Sequence, residues 1–296
     1  MNRAKPFSSP RWLLTGTGGR VGRMLWRHWQ QEPPAAELIR QIRNARDDAG
    51  RDRENCLLWD PLVQPLPVAA GKIDCLIAYA GVTPAHGANF GLNAALAEAS
   101  LAAAYAAGIG KILLTSSSAV YGVPADGAAL REEDSTSPIN EYGRSKLAME
   151  AICMPWRKRG LEVCCLRIGN VAGADALLLN GVAAGGKPLI IDRFPDGGSP
   201  LRSYVGPATL ARITALLATY PEPLPDCLNI GAPQPVEMAD LAGAAGFAWQ
   251  WREAPASAHQ RITLDLSRLD ALYSFAPADS DPHELIAQWT RLRDPL

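Results

Sequence analysis

Three observations in this 296-residue chain predict an α/β fold built on a doubly wound parallel sheet. Short apolar runs alternate with helix-length stretches from residue 11 to residue 231. Several of those runs are apolar on both faces, as parallel strands covered on both sides must be. A glycine-rich turn, TGTGGRVG (15–22), stands where the first run passes into the first helical stretch.

Taken in order, the predicted strands are RWLLTG (11–16), ELIRQIR (37–43), NCLLWD (55–60), DCLIAYA (74–80), KILLTSS (111–117), EVCCLRIG (162–169) and CLNIG (227–231). Helices are expected at 20–31, 88–108, 140–158 and 207–219. This rhythm is that of a Rossmann-type sheet. The Pro/Gly-rich patches RFPDGGSP (193–200) and YPEPLPD (220–226) interrupt it, and the chain from Pro233 onward abandons it. Residues 1–170 with 202–232 are therefore assigned to a dinucleotide-binding domain. Residues 171–201 with 233–296 are assigned to a smaller substrate lobe closing over the carboxyl edge of the sheet.

Composition narrows the function. A formal net charge of −1 gives no support for nucleic-acid binding. No apolar run approaches the ~18 residues of a membrane helix, and MNRAKPFSSPRW is not followed by the apolar core of a signal peptide. Cys56, Cys75, Cys153, Cys164, Cys165 and Cys227 show no metal-ligand spacing and read as reduced thiols of a cytoplasmic protein. No metal is expected. The stretch 92–108 (LNAALAEASLAAAYAAG) is apolar nearly all round, so it is buried on two sides. The sheet covers one side. A second copy of the chain in a homodimer covers the other, or else a neighbouring segment of the same chain does.

The glycine turn carries the first chemistry. Gly16 permits a tight turn, Gly19 lets the backbone approach a pyrophosphate, and Gly22 lets helix and strand pack closely. Arg20 and Val21 lie in the first helical turn, whose free N–H groups face the phosphates. At the end of the second strand an acidic residue would hold ribose hydroxyls, whereas an arginine suits the 2′-phosphate of NADP. Here Ile42 stands at that position and Arg43 follows it, with Arg40 and Arg46 close by and Asp47 and Asp48 too late. This favours NADP over NAD. Asp60, at the third strand's end, can accept from an adenine amino group, and Ala80-Gly81 lets the cofactor pass close to the fourth.

Tyr142 and Lys146 stand four apart in INEYGRSKLAMEAI and so share one helix face. An ammonium beside a phenol favours phenolate and moves the phenol toward neutrality, making a general acid/base for a carbinol or carbonyl carbon. With TGTGGRVG, Asn93, SSSAVYG (116–122), YGRSK (142–146), LRIGNVAG (166–173), RSYV (202–205) and LNIG (228–231), the chain resembles the extended short-chain dehydrogenases/reductases, in the NAD-dependent epimerase/dehydratase branch.

That resemblance implies a catalytic role for Tyr142 as acid/base. Lys146 would hold the nicotinamide ribose, and Asn93 would support the site. Asn170 would approach the substrate, and Arg202 would match an arginine that contacts the diphosphate of nucleotide sugars. A serine would hydrogen-bond the substrate oxygen. The family pattern Ser-x-x-Val-Tyr-Gly selects Ser117. Strand alternation agrees, since Thr115 and Ser117 share one face and Ser116 and Ser118 the other. Nucleotide-sugar 4,6-dehydratases carry Thr-Asp-Glu before Val-Tyr-Gly. The corresponding Ser118 and Ala119 argue against that elimination and leave a reductase or an epimerase. The Gly206-Pro207 pair replaces polar residues usual in the family. A non-catalytic dinucleotide sensor on the same fold is the rival reading.

The remaining residues read as structural. His28 is placed on the outer face of the first helix, and His86, His259 and His283 are scattered. WQW (249–251) is expected to be a packing strand, and REED (131–134) a solvated loop.

Overall fold

The computed structural model describes residues 9–44, 55–84, 87–124 and 127–293. Arg46, Asp47, Asp48 and His86 lie outside them. In chain order the elements are β1 (Arg11–Thr15), α1 (Arg20–Gln31), β2 (Glu37–Ile42), β3 (Cys56–Leu58), β4 (Cys75–Ala78), α2 (Gly91–Ala106), β5 (Lys111–Ser117), α3 (Glu141–Arg157) and β6 (Glu162–Ile168). There follow β7 (Asn170–Val171), α4 (Ala176–Ala183), β8 (Leu189–Arg193), β9 (Leu201–Arg202), β10 (Tyr204–Val205), α5 (Pro207–Thr219) and β11 (Cys227–Ile230). The chain ends with β12 (Val236–Glu237), α6 (Met238–Ala244), β13 (Trp249–Glu253), β14 (Arg261–Ile262), α7 (Ser267–Asp270) and α8 (Pro282–Leu292).

Seven strands form one parallel sheet in the order β11-β6-β5-β4-β1-β2-β3. All seven predicted strands are in it. The chain runs from β1 outward to β3, then returns to the other side of β1 at β4. A crevice opens at the carboxyl ends where the direction reverses, and ligands of such sheets sit there. Alternation along each strand divides the core in two. Trp12, Leu14, Ile77, Leu113 and Leu166 face α1, α5 and α8. Leu13, Leu76, Ile112, Leu114 and Val163 face α2 and α3. At ~25 cal/mol per Å² of apolar surface, burial on both faces is what makes near-continuous apolar strands worthwhile.

Differences from the expectation have local causes. β3 is shorter than 55–60 because it is the sheet's edge, and its Leu58 is exposed. His28 is buried, not outward. Burial lowers its pKa below the usual histidine value, Glu32 opposes that, and Arg212 and Arg291 add to it. Leu285, Trp289 and Leu292 of α8 pack in the main core, between α1 and α5 on one side and α6 on the other. Gly206-Pro207 belongs to this packing. A Cβ on Gly206 would stand 2.1 Å from Gln288 Oε1, the atom that accepts from the N–H groups of Ala208 and Thr209 and caps α5. The second cover of α2 is α3 of the same chain, with Ala97, Leu101 and Ala104 in their shared core. The WQW strand forms, paired in parallel with β8, but of it only Trp249 packs against the core and Trp251 is exposed.

Candidate active site

The crevice at the reversal point holds a cleft of about 630 Å³. Gly16–Gly19, Arg23, Arg40–Arg43, Asp60–Leu62, Tyr79–Val82, Leu92 and Leu96 line it. Gly16 has φ +75°, and a Cβ there would come within 2.3 Å of the Ala80 nitrogen. Only glycine lets β1's turn and the end of β4 approach so closely. Gly19 caps α1 without a side chain, and the helix's first turn has no acidic residue, so the positive end of the helix faces the cleft. Gly22 plays a packing part, since its Cβ would be 2.2 Å from the Gly16 carbonyl oxygen. Arg20 and Val21 do not line the cleft. Gly16, Gly19, Arg43, Asp60, Ala80 and Gly81 do, and these residues fit a dinucleotide. Thr17, Gly18, Gln41, Leu62 and Val82 are additional lining residues that sequence reasoning did not single out.

A second hollow of about 280 Å³ adjoins the carboxyl end of β5. Ser117, Tyr142, Asn170 and Arg202, expected from four separate segments, all line it. So do Ser118, Ala119, Ile139, Asn140, Ser203, Ile262 and Leu264. α3 reaches this place for identifiable reasons. Asn140 caps it, its Oδ1 accepting from Gly143 N at 2.8 Å. Gly143 packs against the turn after β5, where a Cβ would be 2.4 Å from the Ala119 oxygen. That approach sets Tyr142 beside Ser117.

The three serines of SSSAVYG are now distinct. Ser116 is buried on the α3 side and donates to Glu150 Oε1 at 2.5 Å. Ser117 lies in the hollow with Tyr142, and its Oγ accepts from Ala119 N at 3.2 Å. Ser118, expected on the face opposite Ser117, instead lines the same hollow, because a 3-10 turn begins there and ends the alternation.

Lys146 is 3% exposed. Its Nζ donates to the Thr115 carbonyl at 2.8 Å. Burial pulls its pKa down to about 8, opposed by Cys165 and Glu150. The expected lowering of the tyrosine is not seen. Burial raises the Tyr142 phenol above its ordinary value, and the Ser117 hydroxyl offsets this in part. Lys146 instead turns its ammonium to a backbone carbonyl and toward Gly81, where a Cβ would lie 3.2 Å from Nζ. Asn93 ties the same region together. Its Oδ1 accepts from Val82 N at 2.7 Å, and its Nδ2 donates to Val82 O at 3.1 Å and Ser145 Oγ at 2.9 Å. Ser145 Oγ donates in turn to the Tyr142 carbonyl at 2.7 Å.

Arg202 borders the hollow with its guanidinium donating to the carbonyls of Leu201, His259 and Gln260. Burial lowers its pKa, against the influence of Tyr204. Among the described residues, no three His, Cys, Asp or Glu are grouped to hold a metal ion, and no helix is long and apolar enough to cross a membrane.

Residues 12–231 match the NAD dependent epimerase/dehydratase family. The chain belongs to that family. Among curated relatives, the UDP-glucose 4-epimerase of Azospirillum brasilense is 45% identical over 76 residues, covering 25% of this chain and 22% of its own. That of Streptococcus mutans serotype c is 45% identical over 135 residues, covering 38% and 40%. The matched stretches thus span less than half of those relatives. Likeness to solved structures extends over nearly the whole chain. The UDP-glucuronic acid 4-epimerase from Bacillus cereus, solved with UDP-glucuronic acid and NAD, superposes with TM-score 0.76 at 19% identity, over 95% of this chain and 98% of that one. The dTDP-glucose 4,6-dehydratase of Bacillus anthracis str. Ames superposes with TM-score 0.73 at 15% identity, over 96% and 97%. At these identities the likeness establishes the fold.

Proposed function

We propose that the protein is a nicotinamide-dependent epimerase of nucleotide-activated sugars, inverting one carbinol carbon through Ser117, Tyr142 and Lys146. The observation that carries this reading is the convergence of Ser117, Tyr142, Asn170 and Arg202 on one hollow, with Lys146 behind it. A bound nicotinamide supplies the acceptor and donor of hydride. Tyr142 would take the proton of the carbinol oxygen as the carbon is oxidised and return it as the carbon is reduced again. Ser117 orients that oxygen, and Lys146 places positive charge beside Gly81, where the cofactor ribose would lie. Gly16, Gly19 and the α1 N-terminus hold the pyrophosphate, while Arg20 and Val21 contribute only through the helix. Arg202 gives the hollow a cation suited to a diphosphate.

Elimination by a dehydratase needs an acid and a base in the hollow, but no Asp or Glu lines it among the described residues. This supports epimerisation. For the cofactor, Arg40 and Arg43 with Ile42 at the adenosine end support NADP(H), while the solved Bacillus cereus relative carries NAD. Side-by-side titrations separate the two, and tighter binding of NADH overturns the NADP assignment. Residues 1–170 with 202–232 are proposed as the dinucleotide-binding domain and residues 171–201 with 233–296 as the substrate lobe. Free thiols, with the Cys153 and Cys165 sulfurs hydrogen-bonded at 3.6 Å and not joined as a disulfide, support a cytoplasmic setting. Exposed Tyr105 and Met154 on α2 and α3 support a homodimer through those helices, which sedimentation tests directly.

The test of function is stereochemical. The purified protein, assayed by NMR with UDP-glucose, UDP-galactose and UDP-glucuronic acid, is expected to produce the epimer of at least one with no net consumption of cofactor. Net NADPH oxidation overturns epimerisation in favour of a reductase. Dinucleotide binding without turnover of any supplied nucleotide sugar favours the sensor.

A further inference from the structure

On the α3 side of the sheet, immediately behind the hollow, lies a buried ion cluster. Glu150 stands one turn beyond Lys146 and is 9% exposed. Its Oε1 accepts from Ser116 Oγ at 2.5 Å, and its two oxygens accept from Arg167 Nε at 3.1 and 3.3 Å and from Nη2 at 2.9 Å. Ser116 on β5 and Arg167 on β6 are register partners. The Arg167 guanidinium lies 4.7 Å from the centre of the Tyr121 ring, and its Nη1 donates to the Glu132 carbonyl at 3.1 Å. Glu132 is itself buried, contrary to the solvated loop expected of REED. Its Oε1 accepts from Asn229 N at 2.9 Å. Asn229 accepts from the Tyr121 hydroxyl at 2.7 Å and donates to the carbonyls of Leu130 and Asp265. A continuous polar chain therefore runs from the helix of Tyr142 and Lys146 to the segment beside Leu264 in the hollow's wall.

Stability alone does not account for it. Buried ion pairs pay a desolvation cost that apolar packing avoids, and replacing one with well-packed apolar residues is often neutral or stabilising. The positions are more telling. Ser116 precedes Ser117, Tyr121 follows the turn after it, and Glu150 shares a helix with Tyr142 and Lys146. We propose that Glu150 is a positioning residue, which locks the tip of β5 to α3, fixes the Ser117–Tyr142 contact, and sets a negative charge beside Lys146. This rests on the catalytic reading given above.

The groups facing Lys146 are Met149 and Glu150 on its own helix, Asn93 on α2, the Thr115 carbonyl on β5 and Cys165 on β6. Cys165 is pushed well up, first by its hydrogen bond with Cys153 and then by burial, and stays neutral. Glu150 is thus the carboxylate of this set.

The test is Glu150→Gln in the full chain, which keeps the shape and removes the charge. The Lys146 side-chain resonance, in 13C-lysine-labelled protein and assigned with Lys146→Met, needs no substrate. Its titration midpoint is expected to fall by about half a pH unit or more, because an opposite charge nearby favours the ammonium. An unchanged midpoint in the folded variant overturns the proposal. With a nucleotide sugar that the wild type turns over, kcat is expected to fall on the order of 10-fold with KM and nucleotide retention unchanged. If the wild type turns over none, the catalytic reading has failed and the Lys146 midpoint still decides the role of Glu150. If Glu150→Gln does not fold, Ser116→Ala decides. It leaves both charges in place and removes one tether, so a loss of kcat at constant KM is expected, and an unaltered kcat overturns the proposal.

Discussion

Replacing Lys146 with Met tests the electrostatics of the site without any substrate. In the unfolded chain the amine titrates near its ordinary 10.5, whereas burial holds it at about 8 in the folded protein. Below the lower value both states carry the proton, and the folded state bears the full cost of a buried charge. Between the two values the unfolded state binds more protons, so this group's contribution makes stability rise with pH. Above 10.5 both states are neutral and the cost has gone. A shift of this size corresponds to about 3 kcal/mol, with little lost to solvent screening because the side chain is so thoroughly buried. The assay is urea unfolding of nucleotide-stripped wild type and Lys146→Met at about pH 7 and about pH 10.5. Taking the difference between the proteins cancels the buried thiols that titrate in the same range. Wild type is expected to gain up to about 3 kcal/mol on the variant across that interval. A stability difference independent of pH refutes the buried, depressed ammonium.

Asn93→Ala removes the partner of both the Val82 N–H and carbonyl, and is expected to cost about 2–4 kcal/mol in denaturant unfolding, as two part-buried backbone groups lose their bonds. Gly143→Ala puts a Cβ into the Ala119 carbonyl, so α3 must shift from the turn after β5. Turnover should drop on the order of 10-fold or more while nucleotide binding, read by fluorescence titration, is unchanged. Gly206→Ala displaces Gln288 from the start of α5 and is expected to destabilise by about 1–3 kcal/mol, seen as a lower urea midpoint.

Much of this architecture is readable from residue pattern alone, because parallel strands buried on both faces and a glycine turn at a helix start are local signals. The limits of α1 and α5 and the separation of Ser116 from Ser117 follow from period and alternation. What pattern misses is set by tertiary contacts. His28 and Glu132 look like surface residues until α5, α8 and β11 pack over them. Glu150 reads as an ordinary helical glutamate, since its partners Ser116 and Arg167 are distant in sequence and meet only through strand register. The position of α8 is equally hidden, because an amphipathic C-terminal helix does not say which sheet face it covers. The pKa of Tyr142 goes astray for a related reason. Four-residue spacing puts Lys146 on the same helix face, but not its ammonium against the phenol, and desolvation then outweighs the charge.

The most direct test of the site is Tyr142→Phe, assayed for nucleotide-sugar epimer formation with cofactor retention measured on the same sample. Removing a positioned acid/base is expected to cost about 10²–10⁴-fold in turnover while the dinucleotide stays bound, since the hydroxyl lies outside the cofactor cleft. A Tyr142→Phe protein that epimerises at the wild-type rate contradicts the account.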